Sequence, residues 1–596
     1  RTRAGLPSFI IYELYYRQAA MALLTPLLAW LAAHFVQLSG SGSINNEQVV
    51  SFLLTPMGIG TLLTIATLSV SLVFIEWAGL FDLLDTPPMH RTRPAVMALY
   101  RGVTMVPHFA VLGLIQLAIA AIVMIPLAAS VAIIHATLLG KYDIHYYVDA
   151  WPAEFIIALA IVIPLMIASA FVAVALFVRW SFALPLVMLE GRSPKQALRE
   201  SAVLTRGRKM HIGLTLVVWW AGCLLFGAGA SALLRWTGSA TLGIVPHRLG
   251  LEVIALGGIF AFHVAMGFLG WAIVITGHTA ILWGFFRRAV PRPVATEPPA
   301  TLSRAPGRMN KALWLSLLTL VVVAVVGAFS VLNSSRVTHH VTVYAHRGAS
   351  AFTPENTIAS ITEAANQGAD GAEIDIQPSS DGVPVLYHDR DLKRLTGRDE
   401  VVGDLPYAKL KQIDVGSWFG EDQAFAGQRI ATLNQAIDEA RHHGLRLNIE
   451  LKYHRDEPEF AQTVADTIRQ NNFTDQCIIT STNADGLMQL KAIMPELQVG
   501  LILAVSVGDP ATIPTDFISA QRGKATPAFV KRRRKQGKVV YVWTVNDRKD
   551  MIRFVQMGVA GLITDRPGEA REVVIAYEEL SRPERMLLAF RQWLVN

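Results

Sequence analysis

Cysteine is nearly absent: Cys223 and Cys477 are the only two in 596 residues. Two thiols build no disulfide framework, and neither has the CxxC or Cys/His spacing of a zinc site. Charge is scarce as well. Asp, Glu, Lys and Arg make up 17% of the chain, against 52% apolar residues and a mean hydropathy of +0.39, a balance that argues against a wholly soluble protein. The scarcity is uneven. Long apolar runs lie before about residue 333, and acidic residues concentrate after it. The net charge of +7 comes from Lys and Arg gathered at the ends of apolar runs, the mark of a membrane topology and not of a nucleic-acid partner. No nucleic-acid binding and no cleavable leader are expected.

The length requires at least two domains: a transmembrane domain over 1–333 and a soluble domain over 341–596. About 20 helical residues cross a bilayer core, and seven stretches qualify, near 18–38, 59–82, 104–128, 154–178, 212–234, 255–285 and 312–332. Arg1, Arg3 and Arg17 precede the first, Arg91, Arg93 and Arg101 follow the second, and 179–209 and 287–311 are basic, while the loops between are poor in Lys and Arg. The expectation is a multi-pass protein of the cell membrane, with a cytoplasmic N-terminus and everything after residue 333 outside. Glu76, His263 and His278 are the ionisable exceptions within spans; each reads as a lipid or ion path or as an interfacial or helix-contacting side chain. Ser193-Pro194 opens a short amphipathic cytoplasmic helix, and 291–306 is a linker.

After residue 341 strand-like and helix-like segments alternate. Strands are expected at 341–345, 371–377, 384–388, 445–452, 477–481, 498–503, 515–519, 538–544 and 561–564. Helices are expected at 355–367, 433–443, 458–471, 484–493, 526–536 and 547–556. Repeated βα units point to an α/β barrel of TIM type behind an all-α polytopic membrane domain. Nine strands are one too many, and 515–519 reads as the irregular one.

Several strand-like runs end on charged groups. His346-Arg347-Gly348 follows the first, and His388-Asp389 ends another. Glu373 and Asp375 lie two apart, as do Glu450 and Lys452, so each pair shares one strand face. Inside a barrel such carboxylates pair with basic groups in a salt-bridge network or bind a metal. Three of them without cysteine favour Mg²⁺ or Ca²⁺ over zinc. Arg347 suits bidentate phosphate contacts, and Lys452 adds a point charge. Two histidines can act as acid and base, in either order. Thr353 reads as an N-cap with Pro354 first in the helix, leaving Glu355 as a further site candidate.

In order, HRGAS, PENT, EIDIQ, DGVPVLYHD, NIELK, VWTVN and GLITD resemble the glycerophosphodiester phosphodiesterase family over about 341–575. The resemblance implies a TIM barrel with an insertion near 389–444. It implies His346 and His388 as acid and base, and a divalent metal ion on Glu373, Asp375 and Glu450. Trp543 resembles the family's substrate-facing aromatic, though it suits a core equally. The implied reaction releases an alcohol and glycerol 3-phosphate, through attack of the glycerol 2-hydroxyl and a cyclic phosphate. Ile430-Ala431-Thr432-Leu433 departs from the usual Ile-Pro-Thr-Leu, and Ser481-Thr482 from Ser-Phe. Competing readings are a hydrolase of intact envelope lipids or glycerophosphate polymers, and a transporter or receptor whose barrel only binds a phosphodiester. Membrane lipids are the other expected partners.

Overall fold

A computed structural model of the chain describes residues 2–21, 25–38, 43–45, 52, 55–85, 93–142, 144–244, 249–291, 340–504, 506–508, 512–581, 584–585 and 588. Its first half is helical. Helices α1 (Thr2–Ala19) and α2 (Thr25–Leu38) precede a short strand β1 (Ser43–Asn45). There follow α3 (Pro56–Asp85), α4 (Arg93–Thr104), α5 (Val106–Ile134), α6 (Ile144–Ala150), α7 (Ala153–Trp180), α8 (Ala183–Glu190), α9 (Pro194–Leu204), α10 (Lys209–Ile244) and α11 (Leu249–Ala289).

Among the described residues five stretches are long and apolar enough to cross a membrane: Pro56–Asp85, Val106–Leu139, Ala153–Glu190, Lys209–Leu233 and Phe262–Ala289. They match the second to sixth expected spans. The first is represented by α2, whose 14 residues fall short of the ~20 a crossing takes. The seventh, 312–332, lies outside the described residues. Phe171, Leu225 and Ile167 are exposed on the helix surfaces, as side chains facing lipid are. The helix expected at Ser193 forms with a capping box between Ser193 and Gln196.

One end of these helices is charged. Arg17 meets Glu76, Arg101 meets Asp82, and Arg287 meets both Asp85 and Glu190. The opposite end carries β1 and α6.

The second half is a closed barrel. Strands β2 (Thr342–Ala345), β3 (Gly371–Pro378), β5 (Arg446–Leu451), β6 (Cys477–Ser481), β7 (Val499–Leu503), β9 (Phe517–Gln521), β10 (Val539–Trp543) and β11 (Gly561–Thr564) pair in parallel, and β11 returns to β2. The odd strands are β4 (Pro384–Leu386), antiparallel on β3, and β8 (Ser506–Gly508), antiparallel on β1. The surplus candidate was therefore 384–388 and not 515–519. A turn in which the Ser379 hydroxyl accepts from the Val383 amide reverses the chain there.

Apolar residues of the outward strand faces, such as Val343, Ile374, Ile449 and Leu562, pack under the helices. The lower interior is filled by Tyr344, Ile478, Phe517 and Ile563, with Tyr541 and Trp543 against them. Above that plug the inward positions are polar. Residues 389–432 form their own small core around Tyr387, Leu392, Leu410 and Ile430, beside the C-terminal rim.

Candidate active site

The period of two along a strand sets the site. His346 follows β2 on its inward face, Glu373 and Asp375 share that face of β3, and Glu450 stands opposite Asp375 on β5. One carboxylate oxygen from each of Glu373, Asp375 and Glu450 lies within 4.8 Å of the others. A single hard cation at about 2.3–2.6 Å from each would span that separation.

The electrostatics fit positive charge. Burial, then the carboxylates of Asp375 and Glu450, push Glu373 above the usual carboxylate range. Burial also raises Glu450, against the pull of Lys452. Asp375 is held well below the usual range, because Lys452 and its other polar neighbours overcome its burial. The Lys452 Nζ lies 2.6 Å from Glu450 and 3.2 Å from Asp375. Among the described residues no side-chain cation reaches ion-pair distance of Glu373; the Arg347 backbone N–H donates to it at 2.7 Å.

That amide points inward because the chain turns sharply after β2. Arg347 has φ +54° and Gly348 φ +77°. A Cβ on Gly348 would stand 2.2 Å from the Ser360 Oγ, so this turn needs glycine on two grounds. Pro354 does not open the next helix. Asn356 adopts φ +54° and clamps Asp375, donating from Nδ2 to its carboxylate and accepting its backbone N–H, both at 2.9 Å. Thr357 is the N-cap of Ile358–Asn366. The Asp375 clamp draws the PENT segment into a turn, which delays the helix by one turn.

Each histidine is fixed by a carboxylate. His346 Nδ1 is 2.6 Å from Asp565, and His388 Nδ1 is 2.7 Å from Asp389. Asp565 also accepts from Ser350 and Asn546. Arg394 donates to Asp389 and Glu355. Glu355 in turn accepts from Arg347 Nη1 at 2.8 Å, so it orients two guanidinium groups; burial opposes its charge, but Arg347 and Arg394 hold its pKa down at about 2.

The two imidazoles differ. Burial lowers His388 first, then the charges of Arg347 and Lys452, to about 3. Burial works against the cation at His346 too, but Asp565 and Glu373 outweigh it and the pKa is raised. Trp543 ends β10 half-buried, its Nε1 donating to the Ser519 carbonyl at 3.1 Å, against the lower plug.

All nine expected site residues thus meet at the C-terminal rim or inside it. Sequence reasoning gave no role to Asp565, Asn546, Asn356 or Arg394. The first three sit in GLITD, VWTVN and PENT, so the motifs held the signal; Arg394 has none, because only the fold of the insertion brings it in.

The sequence profile of the glycerophosphoryl diester phosphodiesterase family matches residues 346–569, and that of the membrane domain of glycerophosphoryl diester phosphodiesterase matches 3–277. A glycerophosphodiester phosphodiesterase of Caldanaerobacter subterraneus is 34% identical over 234 residues, 38% of this chain and 94% of that protein. One from Bacillus subtilis is 29% identical, over 39% of this chain and 86% of its own length. A phosphodiesterase of Oleispira antarctica, solved with the product sn-glycerol-3-phosphate, is 30% identical over 39% of this chain and 96% of that one, with a TM-score of 0.37.

Proposed function

Since the chain belongs to the glycerophosphoryl diester phosphodiesterase family, we propose that its barrel hydrolyses glycerophosphodiesters to an alcohol and glycerol 3-phosphate, with His346 and His388 moving the protons and Glu373, Asp375 and Glu450 holding a divalent cation, Mg²⁺ or Ca²⁺. The observation that carries this reading is the convergence of two carboxylate-anchored imidazoles, a guanidinium and an ammonium on one carboxylate triad. Such a cation supplies Lewis-acid charge at the phosphate oxygens.

The chain's own groups do the rest. Each Nδ1–H is donated to a carboxylate, which leaves Nε2 as the working atom of both rings. His388, neutral at ordinary pH, suits the base that takes the proton of the glycerol 2-hydroxyl as its oxygen attacks phosphorus. His346, held cationic more strongly, suits the acid that protonates the leaving alcohol oxygen. Water then opens the cyclic phosphate with the roles reversed. Arg347 and Lys452 offset charge developing on the phosphate, and Trp543 is the aromatic floor beneath the glycerol. A panel of soluble glycerophosphodiesters, assayed on the full-length chain with and without chelator, tests the assignment; chelator-resistant turnover overturns the metal.

The barrel is proposed to lie outside the cytoplasm. In support, it meets the helical half through α2 and β1 against β8, and through Tyr142 and α6 against the insertion, and β1 and α6 lie at the helix ends opposite the one bearing Arg17, Arg101 and Arg287. A cysteine placed at Arg534, on the exposed face of Pro527–Lys535, tests this: an impermeant thiol reagent should label it in intact cells, and protection there would place the barrel inside.

A further inference from the structure

Two outer segments of the membrane helices reach the barrel, and both touch its catalytic rim. Strand β1 pairs with β8, just beyond the C-terminal end of β7. The segment joining α5 to α7 meets the insertion: the Tyr142 hydroxyl donates to Asp399 at 2.7 Å, and Asp149 lies 3.8 Å from Arg394. Within that segment, the ring of His145 stands edge-on to His388, centroids 5.0 Å apart. A residue of the membrane domain therefore touches a proton-transfer group of the barrel.

The same segment fixes the height of the mouth. His145 lies between Leu139, where one apolar stretch ends, and Ala153, where the next begins. Even a fully extended chain would keep it within roughly 20 Å of the hydrocarbon edge, and helical turns at His135–Leu139 and Ile144–Ala150 shorten that reach. Tyr146 and Trp151 beside it are the residue types that settle at the headgroup level, while Tyr147 is buried and donates to the Leu138 carbonyl. Trp151 is 57% exposed and Val148 52% exposed, which suits side chains seated in an interface and not in water.

We propose that the catalytic mouth opens at the headgroup layer and takes a glycerophosphodiester whose leaving alcohol is a bilayer-anchored lipid, with His145 of the membrane domain positioning that substrate beside His388. This rests on the phosphodiesterase reading above and names its substrate class. The reaction balances as before. The glycerol 2-oxygen bonds to phosphorus, the phosphorus–oxygen bond to the lipid alcohol breaks, and that oxygen takes the proton from the acid. Water then opens the ring, so glycerol 3-phosphate leaves to the aqueous side while the lipid alcohol stays in the bilayer. A mouth turned toward the membrane lets the scissile bond reach the imidazoles without extracting the acyl chains.

The test uses the full-length chain in phosphatidylcholine vesicles carrying phosphatidylglycerol with a racemic head glycerol, half of which presents the unacylated sn-glycero-3-phosphoryl group with diacylglycerol as the leaving alcohol, and glycerophosphoethanolamine as the soluble comparator. Diacylglycerol should be released, and kcat/KM should exceed that for the soluble diester by about tenfold or more, the scale of one aromatic-ring contact that the soluble diester does not make. His145→Ala and His145→Gln, with thermal unfolding matched to the parent chain, should raise KM for the vesicle substrate by roughly tenfold and kcat less, because an edge-on ring contact orients substrate and moves no proton. Cleavage of the soluble diester without any diacylglycerol release overturns the proposal. Diacylglycerol release that both His145 variants leave unchanged removes His145 from it. Cleavage of neither substrate by the unsubstituted chain defeats the phosphodiesterase reading itself, a distinguishable failure.

Discussion

The helical half and the barrel solve opposite problems with the same residue types. The helices carry Phe171 and Leu225 outward and gather Arg101, Arg287, Asp82 and Asp85 at one end. The barrel hides its apolar residues between strands and helices and keeps its charges inside, near the rim. In a bilayer the outside is the apolar solvent, so ionisable groups retreat to an interface. In water the inside is apolar, and charges stay there only where side chains or a bound cation replace hydration. The ion pairs of the helical end close on themselves. Those of the barrel leave Glu373 with no side-chain ion pair among the described residues, only a backbone N–H and the more distant charge of His346, an imbalance expected of a cation site and not of a closed network.

The contrast breaks most decisively at Glu373. Removal of the cation by chelation, or Glu373→Gln, should abolish turnover, because Lewis-acid stabilisation is worth several kcal/mol, on the order of 10³-fold or more. Metal binding read by calorimetry should fall with it, while circular dichroism stays that of the folded barrel. Retained metal affinity in Glu373→Gln would make the triad a salt-bridge network like the one at the helical end.

Next in size are the imidazoles. His346→Ala and His388→Ala should each lower kcat by about 10²–10⁴-fold and change KM far less. Near-normal kcat in either variant would mark that ring as structural.

A smaller effect separates the two rings. Asp565 raises His346, whose cation the proposed acid role requires, so activity should fall as pH rises through that raised value. Asp565→Asn removes the carboxylate and leaves burial, which lowers the pKa; the basic limb of kcat should move to lower pH. Above the limb, activity then drops roughly tenfold for each pH unit it moves. His388, near 3, should put no acid limb above that pH. An unmoved basic limb in Asp565→Asn would sink the assignment of His346 as the acid.

The legibility of the sequence followed the same division. The candidate site groups were readable because they sit at strand ends, where a period of two and a run of β-branched residues fix side and depth at once: Glu373 with Asp375, Glu450 with Lys452. The strand count went astray at Pro384–Leu386, whose apolar run looks like a barrel strand but which a local turn folds back on β3. Thr353 looked like a cap as much as Thr357 does; the choice was made by Asp375, nineteen positions away and bound to Asn356. Arg394 and His145 were beyond reading, since no local rule places an insertion arginine or a membrane-loop histidine beside His388. Helices α1 and α4 were passed over because neither is apolar enough to cross a membrane.

The least effect is expected where charges merely meet. Arg469 and Asp466 form an i,i+3 pair on the barrel surface, with side chains 51% and 44% exposed. Such pairs contribute about 0–1 kcal/mol, so Arg469→Ala should shift the unfolding temperature of the chain little and leave kcat unchanged. Arg287 offers the matched case at the helical end. Its guanidinium lies 2.5 Å from Asp85 and 3.3 Å from Glu190, with side chains 14%, 29% and 11% exposed, and Trp283 donates to the same Asp85. Arg287→Ala leaves two half-buried carboxylates facing each other without their cation, for which a cost of about 1–3 kcal/mol is reasonable after allowing for residual solvent. Thermal unfolding of both variants in one detergent compares them directly. A loss at Arg287 no greater than that at Arg469 would mean that the helical end is as well hydrated as the barrel surface, and the interface drawn there would have to move.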